Sequence, residues 1–167
     1  MRPDLPTSLL QDLETPAFLY SSEMMQKQAD LTKDLIRTES GRTHLFLAMK
    51  SFTFRDGLER LAPYLDGLHA SSYFEAKLAR EILGDGGLVH LTSPGLKRDE
   101  VPKIAELVDH LSFNSLSQLE RYQEIVRPHA SVGLRVNPHF SVVEDERYDP
   151  ARRHSKLGAP IDEIQRL

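Results

Sequence analysis

The sequence contains no cysteine among its 167 residues. Disulfides, thiolate nucleophiles and thiolate zinc sites are therefore excluded, and we expect a reducing, cytoplasmic environment. Acidic residues outnumber basic ones by 25 to 21, so there is no positive field of the kind that attracts nucleic acid or a membrane surface. The seven histidines form no pair at helical ligand spacing backed by a carboxylate, so no metal site is predicted.

Long apolar runs and phosphate-binding glycine motifs are also missing. Residues 1–14 contain only the short apolar pair Leu9-Leu10, and we interpret them as a leader that is neither a signal peptide nor a membrane anchor. No Gly-x-Gly-x-x-Gly follows the first strand and no Gly-x-x-x-x-Gly-Lys occurs, which argues against the common open nucleotide-binding sheets. Residues 84–87 are typical of a helix end and a turn.

From residue 15 onward, short apolar runs alternate with segments of helical periodicity, which predicts βα units and a parallel sheet. The predicted strands are residues 17–20, 44–49, 67–70, 88–91, 110–113 and 132–136. The predicted helices are residues 21–37, 54–64, 74–83, 98–107 and 116–126, with another beginning at residue 161 after a long polar loop at 137–160. Periodicity alone leaves open whether these units build a doubly wound sheet or a (β/α)₈ barrel.

Lys50 directly follows the predicted strand at 44–49, so its amine would lie at the carboxyl end of the sheet, where α/β folds place their sites. Met49 and Phe52 flank it and would shield it partly from water, which makes a neutral amine more available for a Schiff base. The alternative is a lysine that merely extends from a strand end into solvent. Spacing alone favours this second interpretation.

Arg135 brings a second cation to the same edge of the sheet, from within the predicted strand at 132–136. An arginine in a buried run requires a partner. An acidic neighbour could fill that role for structure, or a ligand could supply an anionic or polar group. The residues favour neither alternative over the other.

Small polar side chains accompany these cations. His69 and Ser72 mark the end of the strand at 67–70, and Asn114 with Ser115 follows the strand at 110–113. Ser72 and Glu75 match a capping box, in which each satisfies a free backbone N–H of the other, and Ser115 is followed by a glutamine at the same spacing. Capping is therefore the favoured role of both serines, with hydrogen bonding at the strand ends as the alternative.

Several segments, taken in order, resemble the pyridoxal-phosphate (PLP) dependent barrel decarboxylases, and within them the carboxynorspermidine decarboxylase family. Leu47-Ala-Met-Lys50-Ser-Phe52 resembles the segment whose lysine binds PLP covalently, and Phe113-Asn-Ser-Leu-Ser-Gln-Leu-Glu-Arg121 is more similar to this branch than to ornithine or diaminopimelate decarboxylases. The other similar segments are Thr15-Pro-Ala-Phe-Leu-Tyr20, Ala70-Ser-Ser-Tyr-Phe-Glu75, Leu78-Ala-Arg-Glu81, Leu134-Arg-Val-Asn-Pro138, Asp149-Pro-Ala-Arg152 and His154-Ser-Lys-Leu-Gly158.

The resemblance implies an α/β fold, a PLP-binding (β/α)₈ TIM-type barrel of which residues 15–167 supply about the first five βα units. Lys50 would bind pyridoxal 5'-phosphate, with Arg135, His69, Ser72 and Asn114 as further cofactor-binding residues. The reaction would be the decarboxylation of carboxynorspermidine or carboxyspermidine to norspermidine or spermidine in polyamine biosynthesis. The full-length protein would be a cytoplasmic homodimer that acts on a small carboxylated polyamine, not on nucleic acid or at a membrane.

The sequence departs from the family in two ways. Met49 replaces a leucine common before the lysine, which is a tolerable apolar exchange. The second departure is that the sequence has no counterpart of the family's length after the His154-Ser-Lys-Leu-Gly158 segment. We expect the ring-stacking histidine, the glycine-rich phosphate loop, the acidic partner of the pyridine nitrogen and the β-domain to belong to that part. Two alternatives stay open: a catalytically silent PLP-binding or regulatory fragment, and a related decarboxylase or racemase on the same barrel.

Overall fold

A computed structural model describes residues 8, 11, 13–39, 43–152 and 154–164. In chain order its helices and strands are α1 (Ser22–Glu39), β1 (Phe46–Ala48), α2 (Arg55–Leu61), β2 (Gly67–Ala70), α3 (Tyr73–Leu83), β3 (Leu88–Thr92), α4 (Val101–Ala105), β4 (His110–Phe113), α5 (Leu116–Val126), β5 (Ser131–Leu134), β6 (Val136–Asn137), β7 (Ala159–Pro160) and α6 (Ile161–Ile164). Two 3-10 turns, Met49–Ser51 and Ala62–Tyr64, follow β1 and α2.

The first five described strands form one parallel sheet in the order of the sequence, β1 to β5. Each crossover therefore moves one strand further in the same direction. A doubly wound sheet instead reverses its strand order at a switch point, whereas a barrel is built from units that all progress the same way. The strand order thus decides in favour of the barrel, which periodicity alone did not.

The two faces of the sheet have different compositions. Alternate residues of a strand point to opposite faces, and Leu68, Val89 and Leu111 lie fully buried on the face that the helices cover. The helices contribute small or apolar residues three or four apart, such as Ala76 and Ala79 of α3. The opposite face carries half-buried polar side chains, so the core of the described residues lies between the sheet and its outer helices.

Most predicted elements are confirmed, several with the predicted bounds. β2, β4 and α5 begin and end where the sequence indicates, and β3 is one residue longer than expected. β1 is shorter, because residues 49–51 leave the strand in a 3-10 turn. Gly84 ends α3 with a φ of 56°, a conformation that favours glycine, which confirms the helix end predicted at 84–87.

Residues 17–20 do not form the predicted strand. No described strand pairs with this segment, although the outer edge of β1 is unpaired. Its side chains are largely exposed, with Phe18 at 89%. A short apolar run was therefore a poor guide here, because a strand forms only where its backbone hydrogen bonds pair with a neighbouring strand. The leader predicted at residues 1–14 falls mostly outside the described residues.

Two further elements differ from their predicted extents. The helix expected at 98–107 is only α4, because Pro102 fits the first turn of a helix and residues 97–100 form a preceding turn. The strand expected at 132–136 divides at Arg135 into β5 and β6, and β6 pairs in parallel with β7. The long loop predicted at 137–160 is therefore held at both ends by this short pair of strands.

Candidate active site

Lys50 lies in the turn Met49–Ser51, immediately after β1. Met49 is fully buried and fixes the turn to the core. The Ser51 hydroxyl donates a 2.7 Å hydrogen bond to the Ala48 carbonyl at the end of the strand. The Lys50 side chain thus begins at the carboxyl end of β1, at the edge of the sheet where the sequence predicts a site.

An aromatic cluster borders Lys50. The Tyr20 ring meets Phe52 edge-on with centroids 5.0 Å apart and stacks on Phe54 at 5.6 Å. These rings and Lys50 line an open pocket of about 360 Å³. Lys50 itself is exposed, so the partial shielding expected from its neighbours is not present in the described residues. The reason is that Phe52 packs on Tyr20 and Phe54 instead of covering the amine.

The charges of both Lys50 and Arg135 act on the ring of His69. Its ring is half-buried at the inner face of β2. Burial lowers the pKa of His69, the nearby charges of Lys50 and Arg135 lower it further, and the Glu75 carboxylate acts in the opposite direction. Lys50 and Arg135 follow β1 and β5 of the same parallel sheet, so both lie at its carboxyl edge. At neutral pH this imidazole is uncharged.

Arg135 lies at the junction of β5 and β6 and is half-buried rather than part of a buried strand. Its backbone is held on both sides, since its N–H donates to the Phe113 carbonyl and its carbonyl accepts from the Ala159 N–H, both at 2.8 Å. None of the ion pairs among the described residues involves its guanidinium. Of the two alternatives that the sequence left open, an acidic partner is therefore not found among the described residues.

Ser72 and Ser115 cap helices α3 and α5. The Glu75 N–H donates to the Ser72 hydroxyl at 3.2 Å, and the Gln118 N–H donates to the Ser115 hydroxyl at 3.3 Å. The return bond of a capping box is displaced by one residue, because the Glu75 carboxylate accepts from the Ser71 N–H and hydroxyl rather than from Ser72. Capping is thus the role that the contacts give both serines.

Asn114 is buried at the end of β4, and its amide binds the backbone of the long loop. Its amide nitrogen donates to the Lys156 carbonyl at 2.7 Å, and its amide oxygen accepts from the Gly158 N–H at 2.9 Å. These bonds span more than 40 residues of sequence. The side chain therefore fastens the loop to the sheet and keeps only one N–H and one lone pair for a ligand.

Sequence reasoning missed two histidines of the inner face. His90 and His110 lie beside His69 in the register of β2, β3 and β4. A signal was present: β3 and β4 both contain a histidine two residues before a hydroxyl side chain, and in a strand such positions share one face. Within the described residues, no group of three or more histidine, aspartate or glutamate side chains is placed to hold a metal ion. No helix among the same residues is long and apolar enough to cross a bilayer.

Several known proteins are similar in sequence to this chain. No protein-family model matches the chain. The carboxynorspermidine/carboxyspermidine decarboxylase of Campylobacter jejuni is 34% identical over 155 residues, which are 93% of this chain and 39% of that protein. The carboxyaminopropylagmatine decarboxylase of a Synechocystis species is 35% identical over 150 residues, 89% of this chain and 38% of that protein.

The structural comparison agrees. The crystal structure of carboxynorspermidine decarboxylase from Campylobacter jejuni, complexed with norspermidine, matches with a TM-score of 0.78 at 31% identity, over 93% of this chain and 38% of that one. The chain spans about two fifths of the length of these relatives. The predicted resemblance and the partial TIM barrel are confirmed, and decarboxylases of this fold depend on PLP as a family. The chain is a homologue, over that share of their length, of the carboxynorspermidine decarboxylases, fold-type III enzymes with a TIM barrel.

Proposed function

We propose that the chain supplies the lysine-bearing part of a PLP-dependent decarboxylase that acts on carboxynorspermidine or carboxyspermidine. One observation carries the proposal: two cations, Lys50 and Arg135, lie at the carboxyl ends of β1 and β5 and both lower the pKa of His69, and no described carboxylate forms an ion pair with either. The homology adds the reaction class.

The residues present fit PLP. The cofactor carries an aldehyde and a phosphate, which call for an amine and for cationic or N–H donors. Lys50 provides an exposed amine beside an aromatic wall, and Arg135 provides a guanidinium that is not consumed by an internal ion pair. Ser72 and Asn114, which the resemblance implicates, already hold backbone groups, so we propose that they support the site mainly by fixing α3 and the loop at 156–158.

Three side chains divide the work. Lys50 would bind the cofactor through Nζ, with its turn held in place by the buried Met49. Arg135 would hold an anionic group, either the phosphate or a carboxylate of the substrate. His69, kept uncharged by burial and by the two cations, offers a ring nitrogen as a proton acceptor on that side. When bound, PLP supplies the electron sink that makes loss of carbon dioxide feasible.

A second substrate is favoured by a specific observation. The carboxyaminopropylagmatine decarboxylase is as similar to this chain as the carboxynorspermidine enzyme, at 35% against 34% identity. Both substrate names denote carboxylated polyamines that differ in the group carried at the far end. The described residues that border Lys50 do not distinguish these ends, so we propose carboxyaminopropylagmatine as the alternative substrate.

The test is release of carbon dioxide from carboxynorspermidine, carboxyspermidine and carboxyaminopropylagmatine, with ornithine, diaminopimelate and alanine as comparison substrates. Lys50→Arg keeps the positive charge but cannot condense with an aldehyde, and we expect it to lower the rate at least about a thousandfold. Lys77→Arg, on the exposed side of α3, is the matched control and should keep the rate.

Two outcomes would redirect the proposal. Release of carbon dioxide that survives Lys50→Arg would remove Lys50 from the reaction. Binding of PLP without turnover of any substrate would favour the catalytically silent fragment, an alternative that the two-fifths coverage keeps open. A homodimer in the full-length protein and a cytoplasmic location are further proposals. The absence of cysteine is compatible with the latter.

A further inference from the structure

Three histidines form a row across the inner face of the sheet. The register pairs His69 of β2 with His90 of β3, and His90 with His110 of β4. Ala48 of β1 begins the same row, two residues before Lys50. The row thus runs from beneath the Lys50 turn into the interior of the partial barrel, where aliphatic residues are the usual filling.

The rings of the row touch. His69 and His90 meet at a centroid distance of 4.9 Å and an angle of 67°, and His90 and His110 at 6.3 Å and 90°. The ring of Phe46 meets the ring of His90 edge-on, with a centroid distance of 6.4 Å. Edge-to-face contacts of this kind favour one relative orientation of the rings. The position of the His69 ring is therefore tied to that of His90.

His90 is itself fixed by a hydrogen bond. Its Nε2 lies 2.9 Å from the Ser112 hydroxyl of β4, while the Thr92 hydroxyl is more distant at 3.5 Å. Burial first, and then the charges that His69 and His110 can carry, lower the pKa of His90 to about 4. At neutral pH His90 is an uncharged ring with one nitrogen held by Ser112.

We propose that His90, fixed by Ser112, is a positioning residue that holds the His69 ring at the Lys50 side of the strand ends. A half-buried imidazole without such support could rotate about its side-chain bonds and let water between the rings. The positioning of His69 stands on the described contacts alone. The effect of this positioning on Lys50 rests on the proposed function, in which the amine of Lys50, whose charge acts on His69, binds the cofactor.

Two variants remove one link each. His90→Gln keeps an amide that can reach Ser112 but loses the ring that contacts His69. Ser112→Ala keeps the ring but loses its hydrogen bond, and Ser112→Thr restores the hydroxyl. Ser131→Ala is the matched control, because Ser131 continues the same row on β5 but is exposed and distant from His69.

The first readout is the NMR titration of the His69 ring in the chain without cofactor. We expect the pKa of His69 to rise toward its ordinary value in His90→Gln, and less so in Ser112→Ala, because water reaches the ring and reduces the effect of burial. Ser112→Thr and Ser131→Ala should titrate like the unchanged chain. Circular dichroism shows whether each variant folds, and if His90→Gln does not, Ser112→Ala decides.

The second readout is the rate at which PLP and borohydride label Lys50, measured by peptide mass. We expect it to fall roughly tenfold in His90→Gln, since small displacements at a reacting centre cost rate steeply. An unchanged His69 titration in the folded variants, or an equal change in Ser131→Ala, overturns the positioning role. If Lys50 of the unchanged chain is never labelled, the proposed function fails, and the His69 titration still decides about His90.

Discussion

At the scale of single residues, the candidate site contains two cations, Lys50 and Arg135, that form no ion pair with a described carboxylate. Lys50 and Arg135 come from opposite ends of the described sheet, yet both lower the pKa of His69. Arg80, by contrast, is bound internally, since it donates to Asp109 at 2.7 Å and to three backbone carbonyls. A guanidinium without an internal ion pair is available to a ligand, which separates Arg135 from such structural arginines.

Replacement of Arg135 tests this assignment. We expect Arg135→Gln to weaken the binding of PLP about tenfold or more, because a charge-assisted hydrogen bond contributes roughly 1.5–3 kcal/mol. Titration of the cofactor, followed by its absorbance, gives the dissociation constant. Arg127→Gln is the control, since Arg127 is exposed and pairs with Glu124. Equal affinity in both variants would return Arg135 to a structural role.

Variants of the two capping serines distinguish a structural role from a role in cofactor binding. Ser72→Ala and Ser115→Ala should each lower the free energy of unfolding by about 1 kcal/mol, because each removes the acceptor for a free helix N–H. Urea unfolding followed by circular dichroism measures the loss. We expect neither variant to change labelling of Lys50 by PLP. Loss of labelling in Ser72→Ala alone would show that Ser72 contacts the cofactor.

How far the sequence predicts the site depends on the range of the contacts. The position of Lys50 at a strand end and the two caps were predictable, because a strand end and a cap are defined by neighbouring residues. The role of Asn114 was not, since its partners at 156 and 158 follow more than 40 residues later. The sequence also could not predict that Arg135 forms no ion pair with a described carboxylate, because this depends on which carboxylates the fold brings near.

At the scale of secondary structure, the histidine row couples the sheet to pH. Above pH 6.5, His90 is uncharged in both the folded and the unfolded chain. Below it, the unfolded chain takes up a proton that the folded chain excludes until about pH 4, so stability falls as the pH is lowered through this range. His69 acts in the same direction, because its pKa is also lowered in the folded chain.

The pH dependence is measurable against a variant. Lowering the pH from about 7 to about 5 should cost roughly 1 kcal/mol of stability through His90, a value reduced from the full linkage because the ring is only half-buried. Urea unfolding at both pH values gives the difference. His90→Gln cannot take up this proton and should lose correspondingly less. An equal loss in the variant would show that other groups cause the effect.

Among the elements, α5, β2 and β4 have their predicted bounds. α5 has its cap at Ser115 and an apolar face repeated every three or four residues, and its bounds were predicted correctly. Residues 17–20 have strand-like composition, but they pair with no described strand, and Tyr20 packs its ring on Phe52 and Phe54 instead. Strand formation needs a partner from elsewhere in the chain, and composition does not report whether one is present.

At the scale of the molecule, the described sheet has two free edges, β1 and β5. Unpaired edges and exposed apolar side chains such as Phe74 and Phe54 promote association. The sequence predicted parallel βα units, but their order in space follows only from the packing of each crossover. The observed order is what identified the barrel.

We therefore expect the 167-residue chain by itself to be only weakly stable and to associate. Sedimentation velocity at several concentrations should show a sedimentation coefficient that rises with concentration. Ser131→Lys places a charge on the exposed edge strand β5 and should reduce this rise. A single monomeric species that is stably folded and active at every concentration would contradict the expectation.

The central claim is that the amine of Lys50 opens into a site where an aldehyde condenses with it. The most direct measurement is incubation with PLP, reduction with borohydride, and peptide mass spectrometry. The account predicts one pyridoxyl group on Lys50, absent in Lys50→Arg and retained in Lys77→Arg. A pyridoxyl group spread over exposed lysines such as Lys77 and Lys97, with no preference for Lys50, would contradict it.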